Sequence, residues 1–147
     1  MSLIKVGDKA MFNPILAVMG QYHDGKGTAV LGANGKPLVY ASEEDSEKGL
    51  AVMKGICEQV FRAGLEHPMI ELYQHSFIRV DYIGAISIAP EKAVVINNIH
   101  GEVVYWLEET DTEKAELIYT ELSKAYETAH DKKPYVIDWE TLMGAQS

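Results

Sequence analysis

Two short apolar runs, TAVLGA and PLVYA, flank Asn34-Gly35, and this stretch constrains the fold more than any other part of the chain. Asn and Gly tolerate the positive φ angles of a tight turn, so residues 27–42 are predicted to form a β-hairpin. A hairpin alone cannot hide its apolar face from water and needs a layer packed on it. The next segment, SEEDSEKGLAVMKGICEQVFRAGLEH, supplies one. It opens with acidic residues, as the positive end of a helix dipole prefers, and Val52, Met53, Ile56, Val60 and Ala63 then recur at helical spacing.

The rest of the chain extends this pattern. Asn13-Pro14 reads as an N-cap with proline in the first turn, and Ile15, Val18, Met19 and Tyr22 predict a short helix over residues 14–22. Four β-branched segments, MIELYQHSFIRV, AISIAP, AVVINN and EVVYWLEE, read as an antiparallel meander. A last helix begins at TDTE, a capping-box pattern pairing Thr110 with Glu113, and ends near Asp131, before Pro134. The fold class is therefore α+β, a central antiparallel sheet flanked by helices in an α-β-β-α-β-β-β-α layout. The length, 147 residues, is that of a single domain.

Within residues 1–147 a hairpin-helix unit at about 27–66 has a counterpart at about 92–131. Gly35, Glu43, Asp45, Glu47, Lys48 and Pro68 recur as Gly101, Glu109, Asp111, Glu113, Lys114 and Pro134. Two explanations fit: an internal duplication, or the narrow choice of residues that turns and helix caps allow.

The two long helices differ. Ala115, Ile118, Tyr119, Leu122, Ala125, Tyr126 and Ala129 of the last helix cover about 120° of its circumference, which one sheet can bury. On the central helix Leu50, Cys57 and Phe61 widen the apolar stripe to about 180°, so that flank calls for a second neighbour.

Composition excludes several function classes. A net charge of −9 leaves no basic surface for nucleic acid, and no apolar run approaches the roughly 20 residues of a membrane helix. The single cysteine and the lack of a basic-then-apolar leader point to a cytoplasmic protein. Gly20, Gly25 and Lys26 match a phosphate-binding loop up to its last position, where Gly27 replaces the required hydroxyl and Thr28 comes one place late. His23, His67, His75, His100 and His130 lack metal-ligand spacing, and Cys57 lacks a basic neighbour on its helix face. Asn97, Asn98 and His100 read as a turn between strands, or as the edge of a small-ligand site; of Tyr105 and Trp106, one faces outward. No catalytic, cofactor or metal residue is assigned, and an enzyme is not expected.

The order of these elements, the phrase GTAVLGANGKPLVYAS, and FIRVDYIGAISIAPEKAVVI with its Ala89-Pro90-Glu91-Lys92 turn resemble the roadblock/LC7 family over residues 13–97. These are noncatalytic domains that accompany Ras-like GTPases or sit on scaffolds. The resemblance implies a dimer, homotypic or heterotypic, with central helices side by side and the following strands paired across the two-fold axis. Its interface would hold Leu50, Met53, Cys57, Phe61, Ile70, Leu72, Phe77 and Arg79, and its partner would be a small GTPase. EVVYWLEE and the tail KKPYVIDWETLMGAQS lie outside the family pattern. A profilin-like actin binder and a nucleotide or small-ligand protein using the Gly20–Thr28 loop are the alternatives.

Overall fold

The computed structural model describes residues 3–6, 8, 10–63, 68–90, 93–131, 133 and 135–144. His67, the Glu91-Lys92 part of the predicted turn and Pro134 lie outside them. The strands are β1 (Ile4–Val6), β2 (Ala10–Phe12), β3 (Ala17–His23), β4 (Gly27–Gly32), β5 (Pro37–Ser42), β6 (Met69–Glu71), β7 (Phe77–Arg79), β8 (Ile83–Ala89), β9 (Ala93–Asn98) and β10 (Val103–Glu108). The helices are α1 (Ser46–Arg62), α2 (Thr112–His130) and α3 (Trp139–Gly144). All strand pairing is antiparallel, and the class is α+β. The chain divides into two compact units, Met1–Arg79 and Val80–Ser147.

In the first unit the sheet order is β5-β4-β3-β7-β6, and β1 and β2 form a separate hairpin. Helix α1 packs on β3 and β4, with β1 and the 3-10 turn Tyr73–His75 also against it. The core joins Ile4, Val6 and Phe12 to Val30, Met53, Ile56, Cys57, Val60 and Phe77. Each such side chain, fully removed from water, contributes about 1.5–3 kcal/mol. The helix predicted over 14–22 is corrected: Asn13 does cap, accepting from Ile15 N at 3.0 Å, but the turn stops at Leu16. From Ala17 onward the segment is a strand between β4 and β7, because ladder bonds on both sides outweigh the weak helical preference of Val18 and Tyr22. MIELYQHSFIRV is also not one strand of the meander. It breaks at Gln74 and His75, both at positive φ, into β6 and β7, which join the first unit's sheet.

In the second unit β10-β9-β8 form the sheet, and α2 packs on β8 and β9 through Ala115, Ile118, Leu122, Ala125 and Ala129. The tail adds buried Ile137 and Trp139, and α3 packs on α2.

The two units share a backbone plan at a spacing of 66. Ala17–His23 answers to Ile83–Ala89, Gly27–Gly32 to Ala93–Asn98, Pro37–Ser42 to Val103–Glu108, and Ser46 to Thr112. The ladder irregularities correspond too: β5 slips against β4 between Pro37 and Val39, and β10 against β9 between Val103 and Tyr105. Both hairpins turn at a left-handed glycine, Gly35 (φ 80°) and Gly101 (φ 83°), whose N–H groups donate to Gly32 O and Asn98 O. Both helices are capped by aspartate. Asp45 accepts from Lys48 N, Asp111 accepts from Glu113 N and Lys114 N, and Glu43 and Glu109 accept from those aspartates' own N–H groups. Asp111 thus takes the capping place expected of Thr110, since a carboxylate both fills the acceptor role and meets the helix dipole. The shared residues noted in the sequence, Pro68 and Pro134 aside, are mostly those with backbone duties.

One equivalent pair breaks the pattern usefully. Thr28 is buried with no hydrogen-bond partner for its hydroxyl among the described residues, while its counterpart Val94 is buried and apolar. Desolvating a hydroxyl without compensation costs about 1–3 kcal/mol. Thr28→Val is therefore expected to raise the thermal midpoint by several degrees in a calorimetric scan, and an unchanged or lowered midpoint would show that the hydroxyl is satisfied.

Candidate recognition surface

Several of the polar side chains that the sequence singles out hold the backbone. The Gly20–Thr28 stretch is a strand, a turn and a strand; Lys26 N donates to His23 O across the turn, which leads into β4 and not into a helix as a phosphate-binding loop does. Thr28, the nearest hydroxyl to the magnesium position, points into the core. Asn98 is buried, its Oδ1 accepting from His100 N (2.9 Å) and Glu102 N (3.0 Å) and its Nδ2 donating to the Tyr82 hydroxyl (3.1 Å). Asn97 Nδ2 donates to Gly101 O at 3.1 Å, so NNIHGE uses its amides to build its own turn. Of the acids in EEDSE, Glu43 and Asp45 form the α1 cap just described. Cys57 is buried, and burial, with the Glu71 and Glu58 carboxylates adding to it, pushes the thiol far above its ordinary value. It remains protonated and a poor nucleophile. Among the described residues no three His, Cys, Asp or Glu side chains gather to hold a metal ion, and no helix is long and apolar enough to cross a membrane.

The eight residues expected at a dimer interface separate into two groups. Met53, Cys57, Ile70, Leu72 and Phe77 are buried within the first unit. Leu50 and Arg79 are half-buried, and Phe61 is exposed. Of the wide apolar flank of α1, Cys57 is covered within the chain, where Ile4, Val6 and Phe12 of the β1–β2 hairpin join its cluster. Beside Phe61 an open groove of about 440 Å³ is rimmed by Lys54, Glu58, Arg62, Glu71 and His75, with His75 Nδ1 3.0 Å from Glu71 Oε2. A rim so charged does not suit a second apolar helix packed against it.

Large apolar side chains are instead exposed on edge strands. Tyr40 on β5 is 52% exposed and Trp106 on β10 is 50% exposed, and the two occupy equivalent positions at the spacing of 66. Each stands opposite a small or β-branched residue of the neighbouring central strand, Ala29 for Tyr40 and Val95 for Trp106. The Tyr40 hydroxyl donates to Lys26 O at 2.9 Å, which fixes the ring over the β3–β4 turn. Leu38, two residues before Tyr40 on the same strand, is also exposed. An aromatic ring on an outer strand adds contact area at little entropic cost, which suits it to gripping another polypeptide. The sequence reading foresaw one outward aromatic of the Tyr105-Trp106 pair but missed Tyr40. The signal was available: at a shift of 66 the two rings coincide.

No family model, curated protein or solved structure matches the chain.

Proposed function

We propose that the chain is a noncatalytic adaptor of the roadblock/LC7 type, acting as a homodimer that binds a small Ras-like GTPase or a scaffold protein. The observation that carries this reading is the pair of half-exposed aromatics, Tyr40 and Trp106, at equivalent places on two edge strands. The employment of Asp45, Asp111, Asn98 and Cys57 in caps, turns and core supports a role in recognition. Aromatic anchors dominate protein interfaces, and truncating one commonly weakens binding by tenfold or more.

Titration against cognate Ras-like GTPases, each loaded with GDP or a nonhydrolysable GTP analogue, tests the reading by calorimetry. Binding in the micromolar range or tighter is expected, weakened at least tenfold by Trp106→Ala, a change at a half-exposed site that leaves the fold intact. Binding unaffected by Trp106→Ala and by Tyr40→Ala would overturn the surface assignment. Absence of any GTPase complex, together with nucleotide hydrolysis that disappears in Lys26→Ala, would replace the adaptor by a phosphate-loop enzyme.

A further inference from the structure

The 66-residue plan extends upstream of the paired sheets and leaves one position unfilled. Hairpin β6–β7 is the counterpart of hairpin β1–β2: Ile70 pairs with Ile78 as Ile4 pairs with Phe12, and Glu71 with Phe77 as Lys5 with Met11. Strand β3, the counterpart of β8, has its outer edge covered by β7, with Met19 opposite Ile78 and Gly20 opposite Phe77. Strand β8 has β9 on one side and, among the described residues, no strand on the other.

The consequences show in burial. Val18, Met19 and Gly20 of β3 are buried, whereas Gly84, Ala85, Ser87 and Ile88 of β8 are exposed. Beside β8 an open groove of about 200 Å³ runs between Gly84–Ile86 and the Ser123 and Tyr126 side of α2. Ser123 and Tyr126 are half-buried, while their counterparts on α1, Cys57 and Val60, are buried. The hairpin shows the complementary deficit. Among the described residues β1 and β2 pair with each other and with no further strand, and Met11 is 50% exposed where its counterpart Phe77 is fully buried.

We infer that the open edge of β8 is a docking site for the β1–β2 hairpin of a second copy of this chain, β2 adding antiparallel to β8 with Met11 of the partner copy opposite Ile86 and Phe12 of the partner copy opposite Ala85. The register is the one β7 makes on β3, carried over position by position. Main-chain bonds to the unpaired edge supply affinity, and the side chains beside it supply register. The sizes fit: where β3 offers Gly20 to the large Phe77, β8 offers Ile86 to the narrower, flexible Met11. In a reciprocal exchange each copy gives one hairpin and receives one. This rests on the dimeric part of the proposed function and names the contact that makes the dimer; the GTPase surface at Tyr40 and Trp106 takes no part in it.

Two experiments on the full chain test the inference. Chains carrying Met11→Cys are mixed with chains carrying Ile86→Cys and oxidised. Directly opposed strand residues have Cβ atoms at about 4.5–5.5 Å, close enough for a disulfide after small adjustment. A disulfide-linked heterodimer is expected in that mixture, absent from either variant alone and from the out-of-register mixture of Met11→Cys with Ile88→Cys. Sedimentation is expected to give a dimer for the parent chain and a monomer for Met11→Asp, whose helix and strand signals by circular dichroism stay unchanged. A monomeric parent, a Met11→Asp dimer, or an intrachain disulfide in the Met11→Cys/Ile86→Cys double variant would overturn it. A monomeric Met11→Asp that still binds the GTPase through Trp106 separates this contact from the adaptor reading; loss of GTPase binding by a parent that stays dimeric would remove the latter and leave the hairpin contact standing.

Discussion

Replacing Gly27 by alanine is expected to destabilise the first unit by about 3–5 kcal/mol, a sum of backbone strain and steric overlap that few single methyl groups produce. Gly27 has φ +136°, a region L-residues rarely adopt, and as the first residue of β4 it pairs with both His23 of β3 and Ser42 of β5. An added Cβ would lie 2.0 Å from Ala41 O and 3.0 Å from Glu43 N. Both obstacles are backbone, so no side-chain rotation relieves them. Alanine is nonetheless the natural residue at the counterpart, Ala93, where φ is not positive. The cost therefore belongs to the local backbone and not to the residue type. Gly25→Ala is the matched control: φ is +75° with nothing within 4 Å of the new Cβ, so only strain of about 1–2 kcal/mol is expected. Because Trp106 and Trp139 both lie in the second unit, tryptophan fluorescence reports on that unit alone. Hydrogen exchange over residues 17–62 in increasing urea is the direct readout for the first. Equal losses for the two variants would mean that the strand at Ala41 moves aside, and the overlap term would be withdrawn.

The sequence carried these features unevenly, for reasons tied to range. Turn and cap chemistry is local, so the Asn34-Gly35 turn, α1 and the last helix were legible from a few residues each. Even there Asp111, not Thr110, caps α2, because two good acceptors stood side by side and only three-dimensional placement chose between them. The segment 14–22 was misread because Asn13-Pro14 is a sound helix start, and nothing nearby reveals that β4 and β7 compete for its backbone. MIELYQHSFIRV conceals a break that depends on positive φ at Gln74 and His75, residues that do not advertise it.

The candidate site was harder to read than the fold. The width of the α1 stripe calls for a second neighbour, yet amphipathicity does not say whether that neighbour belongs to the same chain. MSLIKVGDKAMF, read only for the absence of a leader, supplies Ile4, Val6 and Phe12 to the cluster that covers Cys57. Tyr40 went unnoticed because one tyrosine in an alternating strand looks like any other until its counterpart Trp106 is placed beside it.

The second large effect lies where β7 crosses β3. Phe77 is fully buried, and its ring rests against Gly20 closely enough that a Cβ there would lie 2.2 Å from Cε2 and 2.6 Å from Cζ. Phe77→Ala removes a whole ring from the cluster formed with Ile4, Val6, Phe12, Met53 and Val60, and should cost about 3–5 kcal/mol through lost transfer energy and the cavity left behind. Gly20→Ala should cost about 1–3 kcal/mol by forcing that ring from its place. The two losses are not expected to add. With the ring gone, the methyl group at position 20 enters the vacated space, so Gly20→Ala/Phe77→Ala should be no less stable than Phe77→Ala alone. The expected coupling is about 1–3 kcal/mol, the size of the overlap that the double variant avoids. Urea denaturation of the four species, followed by far-ultraviolet circular dichroism, measures it. Simple additivity would mean that Phe77 swings clear at small cost in the single variant, and that what β7 contributes to the edge of β3 is its main-chain ladder and not the fit of this ring.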